Sequence, residues 1–490
     1  MSTHGLSTRS GDATPAGEFG LTGKYGRLFP EAPPLNVTDP RALVDLGKAM
    51  NEDVPGVVTG DHPSLPAGYT YLGQFIDHDI TFDPTSLREV QVDPLALRNF
   101  RTPALDLDSL YGGGPSVQPM FYQRQNNALF MPGTTSPNRG TNDPGVLPSQ
   151  VHDLPRTAHG FAVIADPRND ENLIVAQLHL AFLLFHNQVV SGLEGGSIPR
   201  RLPGERVFDE ARQLVTWHYQ WLVLEDFLPA VIDPNELNQV RARGSMLSRL
   251  AAARGSGAFI PVEFSAAAYR FGHSLVNSSY DYNRVFNHAT GKPAALADLF
   301  DLTGRRGGRA KVPIPSDWII DWRRFFALDR TLAPGKSRLI DPYLSLGLKE
   351  IAMGAGINPL NLAVQNLKRG NSLGLPSGQS IATSLRYDAL DAADIAGSGP
   401  DGAVAANYEL HKETPLWYYV LKEAQLKTRG VRLGPVGSRI LAEVFVGLLE
   451  GDPSSFLSCE PDWKPSLGGH PGSFTFADLL QFVGDVNPVG

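Results

Sequence analysis

The sequence predicts a mainly α fold, one large helical domain with long loops and little β structure. Three observations lead there. Apolar residues recur at helical spacing in several long segments. The alternation expected of strands is scarce. Finally, 50 Gly and 39 Pro in 490 residues require many turns and long connections. No repeat, long low-complexity linker or shift in composition marks a boundary. One domain over 39–490 is therefore preferred to three, preceded by an extended arm over 1–38 that ends in the Pro-rich stretch from Leu28 to Asn36.

The helices follow in chain order. Pro40–Met50 has an apolar face, with Asp39 placed as its N-cap. Glu171–Leu193 spans about six turns and is opened by Asp166-Pro167, an N-cap and a first-turn proline. Arg206–Leu228 follows after a Gly/Pro loop, and further helices are expected at Pro261–Leu275, Trp417–Leu426 and Gly437–Leu449.

Composition removes several function classes. Lys+Arg 43 against Asp+Glu 51 gives a net charge of -8, which argues against a nucleic-acid binder. Cys459 is the lone cysteine, so intramolecular disulfides and thiolate metal clusters are both excluded. The first thirty residues lack the apolar stretch of a secretory signal. The longest unbroken apolar run near the middle, Leu180–Phe185, is far short of the about 18 residues that span a membrane. A cytoplasmic protein is expected, or one exported without a cleavable signal. The sequons at Asn36 and Asn277 are read as chance matches.

Two motifs are decoys. Gly370-Asn-Ser-Leu-Gly374 satisfies the nucleophile-elbow pattern but lacks the preceding buried strand and following helix. Pro334-Gly-Lys-Ser337 ends like a phosphate loop, yet Arg330 stands where its first glycine belongs. The strongest segment is Tyr71–Asp83. On a helix, Gln74, Asp77 and His78 lie at i, i+3 and i+4 and form one polar face, while Asp79 points elsewhere. A helix this apolar that devotes one face to Gln, Asp and His is either a site or a satisfied polar cluster. Metal ligation by His78 and its flanking aspartates has no partnered spacing to support it.

Gly73-Gln-Phe-Ile-Asp-His-Asp79 resembles the distal segment of the animal-type haem peroxidases, the peroxidase–cyclooxygenase superfamily, and four more segments match in the family's order. Thr102-Pro-Ala-Leu-Asp-Leu-Asp-Ser-Leu-Tyr-Gly112 is similar to its calcium loop. The resemblance implies Ca²⁺ held by Thr102, Ala104, Asp106 and Asp108, with Asp79 completing the shell; an all-oxygen set suits such a hard cation. Arg168 and Glu171 match the family's Arg-x-x-Glu, with Arg168 as the distal arginine. His186-Asn187 matches its His-Asn, although His179 and His186 read on their own as packed core histidines. Ala266–His273 resembles the proximal segment, which makes His273 the iron ligand and Arg270 a partner for a haem propionate, with Tyr269 in place of the family's Phe. Asn366–Pro376 resembles the segment whose asparagine oxygen accepts the N–H of the proximal histidine.

The resemblance implies a haem peroxidase that reduces hydrogen peroxide through an oxyferryl haem. It would then oxidise a small anion (iodide, thiocyanate, bromide) or a phenolic donor. His78 would move the proton, Arg168 would supply fixed charge and Gln74 would hold distal water or a halide. Asp77 and Glu171 occupy the positions that form ester bonds to haem b in several family members. Asn172 stands where myeloperoxidase has a methionine that bonds haem, so efficient chloride oxidation is not expected. A cyclooxygenase- or α-dioxygenase-type fatty-acid oxygenase would need a tyrosine three residues before His273, and that position is Arg270. A catalytically idle haem- or calcium-binding scaffold would not need His78, Arg168, Gln74 and Asn366 together. Without disulfides, the chain resembles a bacterial-type member of the family.

Overall fold

The computed structural model describes residues 23–82, 98–137, 149–201, 204, 206–304, 312–349, 361–484, 486 and 489. Helices dominate, and strands are short: Gly23–Gly26 lies between Arg98–Asn99 and Ile260–Pro261, Asp61–Pro66 pairs with Lys336–Arg338, and Ser279–Tyr280 pairs with Ala294–Ala295.

The centre is the Leu173–Gly195 helix, whose residues are mostly buried. It is long and apolar enough to cross a membrane, but 83% of its most apolar window is enclosed by the rest of the fold. The Gly68–Ile80 helix packs on it through a Phe75–Phe182 ring stack with centroids 4.7 Å apart. Val207–Leu222 closes over the pair, with Tyr219 edge-on to both rings. Stacked and edge-to-face arrangements of this kind add to what burial alone contributes.

The expected helices are present with informative differences. Pro40–Ala49 starts where Asp39 caps it. The segment from Asp166 is interrupted: Asp166 caps a 3₁₀ turn, Pro167–Asp170, and a second cap, Asn172, starts the long helix by accepting from the Ile174 N–H. The Asn172 side chain competes for that donor, which breaks a helix from Glu171. Val207–Leu222 runs into a π-helical turn at Val223–Phe227, and Leu416–Glu423 does the same at Ala424–Thr428. The expected Pro261–Leu275 helix is instead a short turn at Val262–Ser265 and a 3₁₀ helix at Ala268–Leu275. The backbone of Ala267, at φ -138° and ψ -79°, separates them. Pro435–Gly451 covers the last expected helix.

The described part of the arm is tied to the domain through Arg27, Leu28 and Phe29. Buried Glu263 accepts from the backbone N–H groups of Leu28 and Phe29 at 3.0 and 3.2 Å, and Arg27 donates to the carbonyls of Leu373 and Gly374.

A buried ion pair stabilises the layer behind the 3₁₀ helix. Lys422 and Asp401 are both fully buried and 2.6 Å apart. The hydroxyls of Tyr343 and Tyr418 donate to the carboxylate, and Lys422 also donates to the Ser398 carbonyl. Removing one partner of such a pair leaves an uncompensated charge. Lys422→Met is therefore expected to lower stability by about 3–5 kcal/mol in urea unfolding.

Candidate functional site

A cleft opens between the Gly68–Ile80 helix and the 3₁₀ helix Ala268–Leu275. It encloses about 1170 Å³ of empty space, its mouth included, and is lined by Gln74, Asp77, His78, Glu171, Arg270, Gly272 and His273 among others. Its remaining walls include Tyr69, Phe227, Tyr269, Phe271 and Phe300, so aromatic rings and convergent polar groups share the lining. Two hydrogen bonds set the spacing of its two sides. The Tyr269 hydroxyl donates to the Gly73 carbonyl at 3.0 Å, and the Thr70 hydroxyl donates to the Leu275 carbonyl at 3.3 Å. Gly73 itself lies tight against the Phe227 ring, so a side chain there would have to push that ring aside.

On the distal side, Nδ1 of His78 lies 2.8 Å from the Asn169 side-chain oxygen, which leaves Nε2 for the cleft. Burial, assisted by the nearby Arg168 charge, pushes His78 down to about 3, so the ring is neutral near pH 7. Gln74 and Asp77 line the cleft on the face their spacing predicts, and Glu171 lines it as well. Asp77 accepts from the Thr81 hydroxyl at 2.9 Å, and burial raises its pKa.

Arg168, which the resemblance makes the distal arginine, lies behind His78 and does not line the cleft with Glu171. Its guanidinium donates to the His78 backbone carbonyl at 2.8 Å, pairs with Asp166 at 2.7 Å and lies 4.4 Å from the Phe82 ring centre. The cause is Asp166, a fully buried carboxylate that also holds Arg101 at 2.6 Å. Burial opposes its ionisation, but the charges of Arg168 and Arg101 outweigh it and keep the carboxyl well below its usual range.

The proximal side carries a second difference. Asn366 and His273 meet at 2.8 Å, but through the amide nitrogen and Nδ1, while the Asn366 oxygen accepts from Arg270 at 2.7 Å. A guanidinium is a stronger donor than a neutral ring N–H, so it takes the amide's only acceptor. Arg270 also donates to the Ser265 carbonyl, and Trp417 fixes the turn by donating to the Arg270 carbonyl. Burial, with the Arg270 charge, lowers His273 to about 3. A side chain added at Gly272 would meet nothing within 4 Å, so the cleft is open beside His273, as a flat macrocycle bound there requires. The donor set therefore fits a haem.

Asp79, Asp106 and Asp108 converge, with ligand oxygens within 4.8 Å of one another. Ser109 donates to Asp79 through both hydroxyl and backbone, and Leu107, held at φ 57°, adds its N–H. Thr102 donates its hydroxyl to Asp106 and its backbone N–H to Asp108. The Asp108 oxygen facing Arg101 at 3.6 Å accepts no hydrogen bond. Burial and the neighbouring Asp106 charge push Asp79 up to about 7, as expected where buried carboxylates gather.

His186 is a core histidine, bonded to the Tyr111 hydroxyl and the Ala128 carbonyl. His179 is buried too, but its Nδ1 lies 2.9 Å from the Asn169 amide nitrogen. Sequence reasoning missed Asn169, Arg101 and Ser109, and it read Asp166 only as a cap. Their one shared signal is that each is polar and lies within or beside a segment already singled out.

Comparisons with known proteins bear on the family and the fold. The family model described as "Animal haem peroxidase" matches residues 86–456. That span begins after the helix bearing His78, which joins it through Asn169, Arg168 and Tyr269. A "Peroxidase-like protein" of Margaritifera margaritifera is 25% identical over 74% of this chain and 52% of its own length. "Thyroid peroxidase" of Sus scrofa is 23% identical over 73% of this chain and 38% of its own. The chain thus spans about half the length of these curated relatives, or less. Among solved structures, "Peroxidase A" from Dictyostelium discoideum superposes with a TM-score of 0.60 at 18% identity, covering 96% of this chain and 94% of that one. A fatty acid alpha-dioxygenase of Oryza sativa reaches the same TM-score at 14% identity, covering 96% and 80%. These likenesses extend the shared helical fold across nearly the whole chain, and the family match covers most of it: the chain belongs to the animal haem peroxidase family.

Proposed function

We propose that the protein is a haem peroxidase that reduces hydrogen peroxide and oxidises a small anion such as iodide, thiocyanate or bromide, or a phenolic donor. The observation that carries this reading is the pairing, in one cleft, of His78 with its Nδ1 occupied and of His273 held by an asparagine. Haem, when bound, supplies the iron and the oxidising chemistry. His273 would be its protein ligand. A histidine that ligates through Nε2 carries its hydrogen on Nδ1. Asn366 would then turn its amide to present oxygen to the ring, and the Arg270 bond to that oxygen would be released toward a propionate. His78, neutral and with Nε2 toward the cleft, takes a peroxide proton and returns it to the departing oxygen. Arg168 acts from behind His78, fixing its backbone and adding positive charge without itself lining the cleft. Gln74 would order water or a halide, and the cleft positions of Asp77 and Glu171 support ester attachment to the haem.

The carboxylate cluster supports Ca²⁺ bound by Asp79, Asp106, Asp108 and Thr102, with the Ala104 carbonyl as a further ligand. Bound cation would offset both the burial and the Asp106 repulsion that raise the Asp79 pKa.

Three outcomes are expected. The purified protein should show a Soret band, part of which stays with the polypeptide after acid-acetone extraction, and His273→Ala should lose the band. His78→Ala should slow the reaction with peroxide by roughly 10²–10⁴-fold at unchanged haem content. Oxygen uptake with linoleate, without added peroxide or iodide, would instead identify a fatty-acid oxygenase. Finally, Ca²⁺ at 100 times its Kd should stabilise the fold by about 2.7 kcal/mol in thermal unfolding, and Asp106→Ala should abolish the gain.

A further inference from the structure

Asn169 has no part in the ligand and acid–base groups assigned above, yet it is fully buried between two histidine rings. Its side-chain oxygen lies 2.8 Å from Nδ1 of His78, and its amide nitrogen lies 2.9 Å from Nδ1 of His179. An amide has one accepting end and one donating end, so the bridge has a direction. The oxygen can only accept, which requires a hydrogen on Nδ1 of His78. The NH₂ can only donate, which requires a bare Nδ1 on His179. His179 is itself fully buried, and its other ring nitrogen has no hydrogen-bond partner among the described residues. It is clamped by the long helix and lies edge-on to Phe75, so its ring stays where it accepts from Asn169.

We propose that Asn169 is a positioning residue. Through its oxygen it keeps the His78 hydrogen on Nδ1, leaving Nε2 as a bare acceptor for a peroxide proton, and His179 holds the amide in the orientation this needs. The inference rests on the peroxidase reading of the cleft. Reversing the amide would place its NH₂ on His78 and move the ring hydrogen to Nε2, so the cleft would meet a donor in place of a base. His179, otherwise a packed core residue, thus acts on the site at one remove. Asn169 is carried on the 3₁₀ turn Pro167–Asp170, whose cap is Asp166, so the same turn places both Arg168 and the bridge.

The test reads the tautomer directly. The full chain, labelled with ¹⁵N in histidine, is examined with and without diamagnetic zinc protoporphyrin, and the His78 signals are identified through His78→Gln. The wild type should show the Nδ1–H form of His78, and Asn169→Leu should show a mixture of both forms. With haem bound, Asn169→Leu should slow the peroxide step by roughly 10–100-fold at unchanged Soret band and donor KM, short of complete loss of the acid–base group. Asn169→Asp, which also accepts from Nδ1–H, should restore most of the rate. An Nε2–H form in the wild type would overturn the proposal with no variant needed, and so would unaltered ring signals in Asn169→Leu. A chain that shows the expected form yet never reacts with peroxide refutes the peroxidase reading. It then also removes the catalytic purpose of the bridge.

Discussion

The distal half of the site depends on one buried carboxylate. Asp166 sits fully enclosed between the guanidinium groups of Arg168 and Arg101, and their charge is what permits it to be ionised there. From it a closed circuit runs through the structure. Arg168 reaches the His78 carbonyl, His78 is followed in the chain by Asp79, and Asp79 is tied by Ser109 and Leu107 to the loop carrying Asp108. Arg101 faces Asp108 and returns to Asp166. The loop carrying Asp106 and Asp108 and the helix carrying His78 are therefore one mechanical unit. Replacing Asp166 by a neutral residue would strand two buried cations at once, which is far costlier than losing a surface pair.

The proximal half is organised by scarcity. Asn366 has a single side-chain oxygen, and two donors compete for it: the guanidinium of Arg270 and the ring of His273. Charge decides the contest in favour of Arg270. The turn that presents both competitors is fixed independently, through Trp417 on its backbone and Tyr269 across the cleft, so the amide can exchange partners while the backbone stays in place.

Much of this was legible in the sequence because helical periodicity and short polar motifs are local signals. The Gln74, Asp77, His78 face and the Asp39 cap appear in the structure as their spacing implies. The interruptions were less legible. Asn172 claims the Ile174 N–H and restarts the helix, and Ala267 departs from helical angles inside an otherwise helical pattern. Long-range pairing was illegible altogether. Nothing near Arg101 announces that it will meet Asp166, 65 positions on, and nothing near Asn169 announces His78, 91 positions back. Such partners are chosen by packing, which brings polar groups into a dry interior where each must be satisfied.

The Glu263 carboxylate gives the arm a meaning of its own. It is fully buried and accepts from the backbone N–H groups of Leu28 and Phe29. Its helical turn leads directly into the segment bearing His273. A shortened form starting after Phe29 would leave that carboxylate without those donors, and its solvation cost would fall on the segment that leads to His273. The fold therefore depends on residues well before the first helix, since Leu28 and Phe29 complete the bonding of a buried carboxyl group.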